Sequence, residues 1–151
     1  MINYAGIVFT DGKSLLVLKR SNKESNSGTY DFPGGKSNKD ETDIENAIRE
    51  VQEETGIDKI PGKCFGKLSK TDKRKNYTMF FYFVKDEFDI KISDEHSKYK
   101  WVKITEIENL NLHPKVRDNI SSYLKFIKKS TLKFSNWLFL RDSFKDDSIN
   151  K

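Results

Sequence analysis

Residues 35–57 run GKSNKDETDIENAIREVQEETGI, and the reading of the whole chain turns on them. Thr42-Asp43-Ile44-Glu45 has the form of a capping box, in which the Thr42 hydroxyl and the Glu45 carboxylate satisfy free N–H groups at a helix start. Gly56 stands where a left-handed residue ends such a helix. Between them Ile44, Ala47, Ile48, Val51 and Thr55 fall at i, i+3, i+4, i+7 and i+11, one apolar stripe that faces a core. Glu50, Glu53 and Glu54 form a second row about a third of a turn away from it. Helix stability does not account for that row. Like charges at i, i+4 cost a few tenths of a kcal/mol per pair. Acids are also disfavoured in the last turns, where the helix dipole is negative. Two readings of the row stand, a solvated acidic face and a cation site. Magnesium takes oxygen ligands and keeps waters for substrate phosphates.

Composition bounds the rest. A chain of 151 residues has the size of one domain. Charged residues make up 34% of it, which raises the question of disorder, but Leu, Ile, Val and Phe supply 40 residues, enough for a modest core. One cysteine, Cys64, allows neither an intramolecular disulfide nor a cysteine-based zinc site. This suits a reducing compartment, and the expected location is the cytoplasm. No apolar run reaches the roughly 18 residues of a membrane span, and the start of the chain reads as a strand rather than a signal peptide. With two histidines in the chain, Asp and Glu must carry the metal or acid–base chemistry.

Working outward, Ile2–Thr10 and Ser14–Arg20 read as two strands joined at Asp11-Gly12. A polar loop follows, then Tyr30-Asp31-Phe32 and the sharp break Pro33-Gly34-Gly35. Lys63–Ser69 reads as a strand, Lys70–Asn76 as a charged turn and Tyr77–Val84 as an aromatic strand. In that strand Met79, Phe81 and Phe83 share one face and Phe80, Tyr82 and Val84 the other. Tyr99–Ile104 reads as a further strand. Pro114–Lys128 reads as an amphipathic helix, with Val116, Ile120, Leu124 and Ile127 at helical spacing. Thr131–Leu140 is apolar and open to three readings: a strand, a helix or a homodimer contact. The expected organisation is a domain over residues 1–130 and a partly ordered C-terminal extension over 131–151.

The run Gly35, Glu41, Arg49-Glu50-Val51, Glu53-Glu54, Gly56-Ile57 resembles the signature of the Nudix hydrolases at all nine specified positions. The layout around it is similar too, from Gly6 in the first strand through Leu15–Arg20 and Phe32-Pro33-Gly34-Gly35 to Trp101-Val102. The resemblance covers roughly residues 2–128. It implies an α/β fold, an α/β/α sandwich around a mixed β-sheet, with the signature as a loop–helix–loop. It implies a Mg²⁺-dependent hydrolase, with Mn²⁺ as the alternative ion, acting on a nucleoside diphosphate linked to another moiety. Carried over by position, Glu50, Glu53 and Glu54 match the metal-binding and water-activating acids, and the carbonyl of Gly35 matches a backbone ligand. Arg49 matches the arginine that orients the glutamates, and Glu41 a supporting acid. Glu53 is the expected base. Glu95, ahead of Trp101, is the expected auxiliary ligand or base.

The substrate is less legible. Tyr30 and Phe32 beside the glycine turn are candidate stacking faces, and Arg20 and Lys36 candidate phosphate contacts. Stretches around Lys36–Glu41 and Ala47–Val51 look like those of mRNA-decapping subunits and diadenosine tetraphosphate hydrolases. Those groups carry Pro-Lys-Gly, whereas Pro33-Gly34-Gly35 is closer to the nucleotide and nucleotide-sugar hydrolases. Three functions therefore stand: a hydrolase of small nucleotides (a dinucleoside polyphosphate, ADP-ribose or a nucleoside triphosphate), an RNA 5′-end pyrophosphohydrolase or decapping enzyme, and a non-catalytic nucleotide sensor. The complete acidic set argues against the last. The net charge of +5 is unevenly spread: residues 1–57 carry −3, 58–76 +5, 77–97 −3 and 98–133 +6. Such alternation points to a polyanionic partner met by acids holding metal and by flanking bases.

Overall fold

The computed structural model describes residues 1–130, so the expected C-terminal extension and the three readings of Thr131–Leu140 lie outside the described residues. The first two apolar runs are β1 (Ile2–Thr10) and β2 (Ser14–Arg20). Asp11 Oδ1 accepts from the backbone N–H groups of Lys13 and Ser14 at 2.9 and 2.7 Å, which ties the turn between them. The two strands pair only at Thr10↔Leu15 and then diverge. Two short strands enter the fork. β3 (Tyr30–Asp31) pairs with Leu18 and Lys19 of β2, and β4 (Gly34–Lys36) pairs with Tyr4, Ala5 and Gly6 of β1. β6 (Lys75–Phe83) lies parallel to β1 from Ile2↔Lys75 to Thr10↔Phe83, and β5 (Lys63–Asp72) pairs antiparallel with β6. β7 (His96–Lys103) runs antiparallel along β2, completing a seven-stranded mixed sheet.

Each face of the sheet is covered. α1 (Asp43–Thr55) seats Ala47 and Val51, both 0% exposed, on a core of Ile7, Phe9, Leu16, Leu18 and Phe80. The stretch between β6 and β7 extends this layer without regular structure: Phe88 packs edge-on against Phe9 and Trp101, and its carbonyl accepts from the Trp101 indole N–H at 3.0 Å. On the other face a 3₁₀ helix (Ile104–Asn109) and α2 (Pro114–Lys129) bury Ile107, Val116, Ile120, Tyr123 and Ile127 against Val8, Val17, Phe81 and Phe83. The arrangement is the expected α/β/α sandwich. No helix among the described residues is long and apolar enough to cross a membrane.

Three expectations shift. The α1 caps are as read, with Thr42 at the N-cap and Gly56 at φ 70°, but the buried face of the helix includes Asn46 and Glu54, while Ile48 is only partly buried. The helix is rolled toward its own carboxylate row, because that row packs on the glycine turn. β5 continues through Lys70–Asp72, and the charged turn narrows to Lys73-Arg74, with Lys73 at φ 57°. These strand residues are exposed and polar, so hydrophobic alternation carries no trace of them; backbone pairing with β6 holds them. β7 starts at His96 rather than Tyr99, because β2 stays paired as far as Arg20↔His96.

The fork needs close backbone approach. A Cβ on Gly6 would sit 2.3 Å from the Pro33 carbonyl oxygen, and one on Gly34 would sit 2.6 Å from the Ala5 oxygen. Gly6→Ala is expected to cost about 3 kcal/mol by overpacking, read as a lower urea midpoint. Gly28→Ala provides the comparison, since φ is +81° there but no atom lies within 4 Å. It is expected to cost about 1 kcal/mol, the left-handed penalty alone. Equal losses would mean that the approach at Gly6 is not the constraint.

Candidate functional site

Three segments meet at the open end of the fork: the glycine turn into β4, the C-terminal half of α1, and the residues entering β7. Gly34 donates its N–H to Glu54 Oε1 at 2.7 Å. A Cβ on Gly35 would lie 2.4 Å from the Glu50 carboxyl carbon, so only glycine lets that carboxylate lie against the turn. The Gly35 carbonyl accepts from Asn46 Nδ2 at 3.1 Å, and Asn46 is fully buried. The turn is thus gripped by three side chains of one helix.

Arg49 organises the acids. Its Nε and Nη2 donate to both oxygens of Glu41 at 2.7 and 3.0 Å, a bidentate pair. Its Nη1 donates to Glu50 Oε1 and Glu53 Oε1, each at 3.1 Å, and Nη2 also reaches the Lys36 carbonyl at 3.0 Å. These hydrogen bonds hold the Glu41 carboxyl below the usual carboxylate range, with a backbone N–H from Asn38 adding to the effect. Glu50 and Glu54 move the other way. Burial raises both, and at Glu54, only 5% exposed, the effect is large and is reinforced by Asp31, Glu50 and Glu95. Such a site is short of positive charge.

Glu54, Glu95 and His96 each offer one ligand atom, all within 4.8 Å of one another. A buried Glu54 and a half-buried Glu50 with raised proton affinity, a glycine cradle and a buried imidazole nitrogen with no hydrogen-bond partner among the described residues are the donor chemistry of a divalent-cation site. The residues present therefore fit a metal ion.

Beside the carboxylates opens a cavity of about 640 Å³, and the residues singled out from sequence divide around it. Gly35, Glu50, Glu54, Glu95, Arg20, Phe32 and Lys36 line it. Glu53 and Arg49 do not: Glu53 has a side chain 59% exposed, turned onto Arg49. Tyr30 is also away from it, 6% exposed in the core with the Lys100 ammonium 4.7 Å from its ring. Sequence reasoning passed over Asn46, Asp31, His96 and the cavity residues His113 and Lys115. One of these carried a signal: His113 precedes Pro114 and caps α2, accepting at Nδ1 from the Lys115 N–H at 3.1 Å. The rest meet only through strand pairing or the packing of α1 and α2 on the sheet.

The profile of the NUDIX domain matches residues 2–124. The m7GpppN-mRNA hydrolase of Saccharomyces cerevisiae is 31% identical over 137 residues, 87% of this chain and 13% of that protein. The asymmetrical bis(5′-nucleosyl)-tetraphosphatase of Rattus norvegicus is 36% identical over 81 residues, 49% of this chain and 55% of its own length. Among solved structures, a MutT protein from Methanosarcina mazei Go1 matches with a TM-score of 0.60 and 32% identity, over 85% of this chain and 92% of that one. The chain thus spans a small part of the yeast relative and about half of the rat one.

The crowded acids have a thermodynamic consequence. Glu54 titrates higher folded than unfolded, so the stability linked to it is complete below its unfolded value and is lost as pH rises through the folded one. Glu54→Gln keeps an acceptor for the Gly34 N–H and removes the charge. In chelator-treated protein the variant is expected to melt above the parent at pH 7.5, with the gap closing toward pH 4. A parent that melts higher at both values would contradict the electrostatic picture.

Proposed function

The chain belongs to the Nudix family, and from that premise we propose that it is a Mg²⁺-dependent hydrolase, with Mn²⁺ as an alternative ion, cleaving a pyrophosphate bond in a nucleoside diphosphate linked to another moiety. The observation that carries this reading is the set of inward acids, Glu50, Glu54 and Glu95, in a cavity whose walls also bear Arg20, Lys36, Lys75 and Lys115. Carboxylates alone would repel a phosphate, and cations alone would bind it without chemistry. The pair of features suits a substrate whose phosphates arrive with metal.

Glu50, Glu54, Glu95 and the Gly35 carbonyl would hold the ion. The chemistry a divalent cation supplies when bound is neutralisation of phosphate charge and acidification of a water. The protein's own part is positioning. Arg49 holds Glu50 and Glu53 in fixed orientation through hydrogen bonds of 3.1 Å, and Asn46 fixes the glycine turn. The cationic walls orient the phosphates, which converts binding into alignment for in-line attack. Tyr77, half-buried, presents aromatic surface to the cavity for a nucleobase, and the buried Phe32 underlies the lining. Glu53, the most exposed carboxylate on Arg49, is the proposed acceptor of the water proton, a step worth typically about 10²–10⁴-fold. Glu95, an exposed carboxylate that lines the cavity, is the auxiliary ligand. The cytoplasm is the proposed compartment. Self-association through the extension stays a proposal for the full chain.

Small nucleotides of the dinucleoside polyphosphate, ADP-ribose or triphosphate class are the first reading, in keeping with the name of the rat relative. RNA 5′ ends are the second reading, favoured by one observation: the tip of the β5–β6 hairpin carries Lys73, Arg74 and Lys75, and Lys75 also lines the cavity. The yeast relative's name agrees with it.

A panel of free nucleotides and of capped or triphosphorylated RNA, assayed with matched Mg²⁺, tests both. The expected result is Mg²⁺-dependent turnover of a small nucleotide with a shallow salt response. A log–log salt slope of several units with strong preference for RNA would transfer the assignment to the second reading. Glu54→Gln should abolish turnover. Glu53→Gln and Glu95→Gln, compared in kcat, identify the base by the larger loss, and retention of most activity by all three variants would sink the proposed site.

A further inference from the structure

His96 opens β7 with its side chain 1% exposed. Its Nε2 lies 3.0 Å from Asp31 Oδ1. A carboxylate oxygen accepts, so Nε2 carries the hydrogen, and in the neutral ring Nδ1 is left as a bare lone pair. Asp31 is itself fixed, its other oxygen accepting from Arg20 Nη1 at 2.9 Å. Nδ1 is buried and has no hydrogen-bond partner among the described residues. It faces Glu54 Oε2 at 3.8 Å, beyond hydrogen-bond reach. Two buried acceptors turned toward each other are a costly arrangement unless positive charge lies between them. The Arg20–Asp31–His96 chain is also the support a ligating histidine has elsewhere: a carboxylate on one ring nitrogen, which fixes the tautomer and aims the other.

We propose that His96 Nδ1 is a nitrogen ligand of the metal site, acting with Glu54 and Glu95, and that it makes the site prefer a first-row transition ion over Mg²⁺. The proposal rests on the metal-dependent hydrolase reading. Mg²⁺ is served best by oxygen and holds its waters, whereas imidazole adds affinity for the transition series. Asp31 and Arg20 are then positioning residues for the imidazole. Arg20 also lines the cavity, so a phosphate drawn to Arg20 would pull on the chain that aims the ligand.

The test uses the full chain without added histidines, loaded with Mn²⁺ and read by pulsed EPR. A directly bound imidazole is expected to give ¹⁴N modulation, replaced by the ¹⁵N pattern in protein grown on ¹⁵N-histidine. The sequence holds two histidines, so His113→Asn should keep the signal and His96→Gln should lose it. In calorimetry His96→Gln is expected to weaken Mn²⁺ binding by about tenfold or more, and Mg²⁺ binding by less than about threefold. Should His96→Gln fail to fold, the labelled parent and His113→Asn still decide. Bound Mn²⁺ without nitrogen coupling, or a signal lost in His113→Asn, would overturn the assignment of His96 while leaving the hydrolase reading standing. Absence of any bound Mn²⁺ or Mg²⁺ would overturn both.

Discussion

The contact between the Gly34-Gly35 turn and the carboxylates of α1 is the constraint on which the rest depends. Glu54 accepts the Gly34 N–H at 2.7 Å, and the Glu50 carboxylate occupies the space a Gly35 side chain would fill. For that contact to form, β1 and β2 must part after a single pair so that β4 can enter against β1. Gly6 must also lack a side chain, because the Pro33 carbonyl passes over it. The fork in the sheet, three glycines and the roll of α1 toward its acidic row are consequences of one close approach.

That approach is unfavourable on electrostatic grounds and would not hold by itself. One guanidinium, Arg49, serves Glu41, Glu50 and Glu53 together and still ties down the Lys36 carbonyl. Among the described residues Glu54 has no guanidinium or ammonium partner. Its compensation is one backbone N–H, set against burial and three neighbouring acids. Stability and function therefore pull apart at this residue, as they do where a site is built to receive charge from outside. The glycine cradle and Asn46 keep the geometry rigid enough for Glu54 to stay beside the other acids, which Arg49 neutralises in part.

Much of this was legible in the sequence because it is local. The capping box, the Gly56 stop, the apolar stripe and the glutamate row all lie within one helix, where spacing maps directly onto geometry. The hairpin turn at Asp11-Gly12 and the two faces of β6 are of the same kind. What stayed hidden depends on pairing between distant segments. Asn46 looks like an ordinary polar residue until β4 brings the Gly35 carbonyl to it. Asp31 and His96 are 65 positions apart and meet only because β3 and β7 both pair with β2. Tyr30, beside the glycine turn in sequence, turns to the core because alternation along β3 sends neighbouring side chains to opposite faces.

The charge pattern shows the same division. The acidic segments 1–57 and 77–97 converge as expected, since they supply Glu50, Glu54 and Glu95. The basic segments contribute to the same cavity. Lys75, from the first, reaches the cavity from the sheet, and Lys115, from the second, reaches it from α2. Lys115 is held there by Asp72 at 2.6 Å and lies 5.0 Å over the Tyr77 ring, which in turn stacks on Tyr4. Aromatic surface and fixed cation thus stand on one wall, and the carboxylates on the helix side. A ligand spanning the two would place a flat, electron-rich group against the tyrosines and its phosphates toward the acids. A nucleotide has that division within one molecule, whereas a bare polyanion would engage only part of the wall.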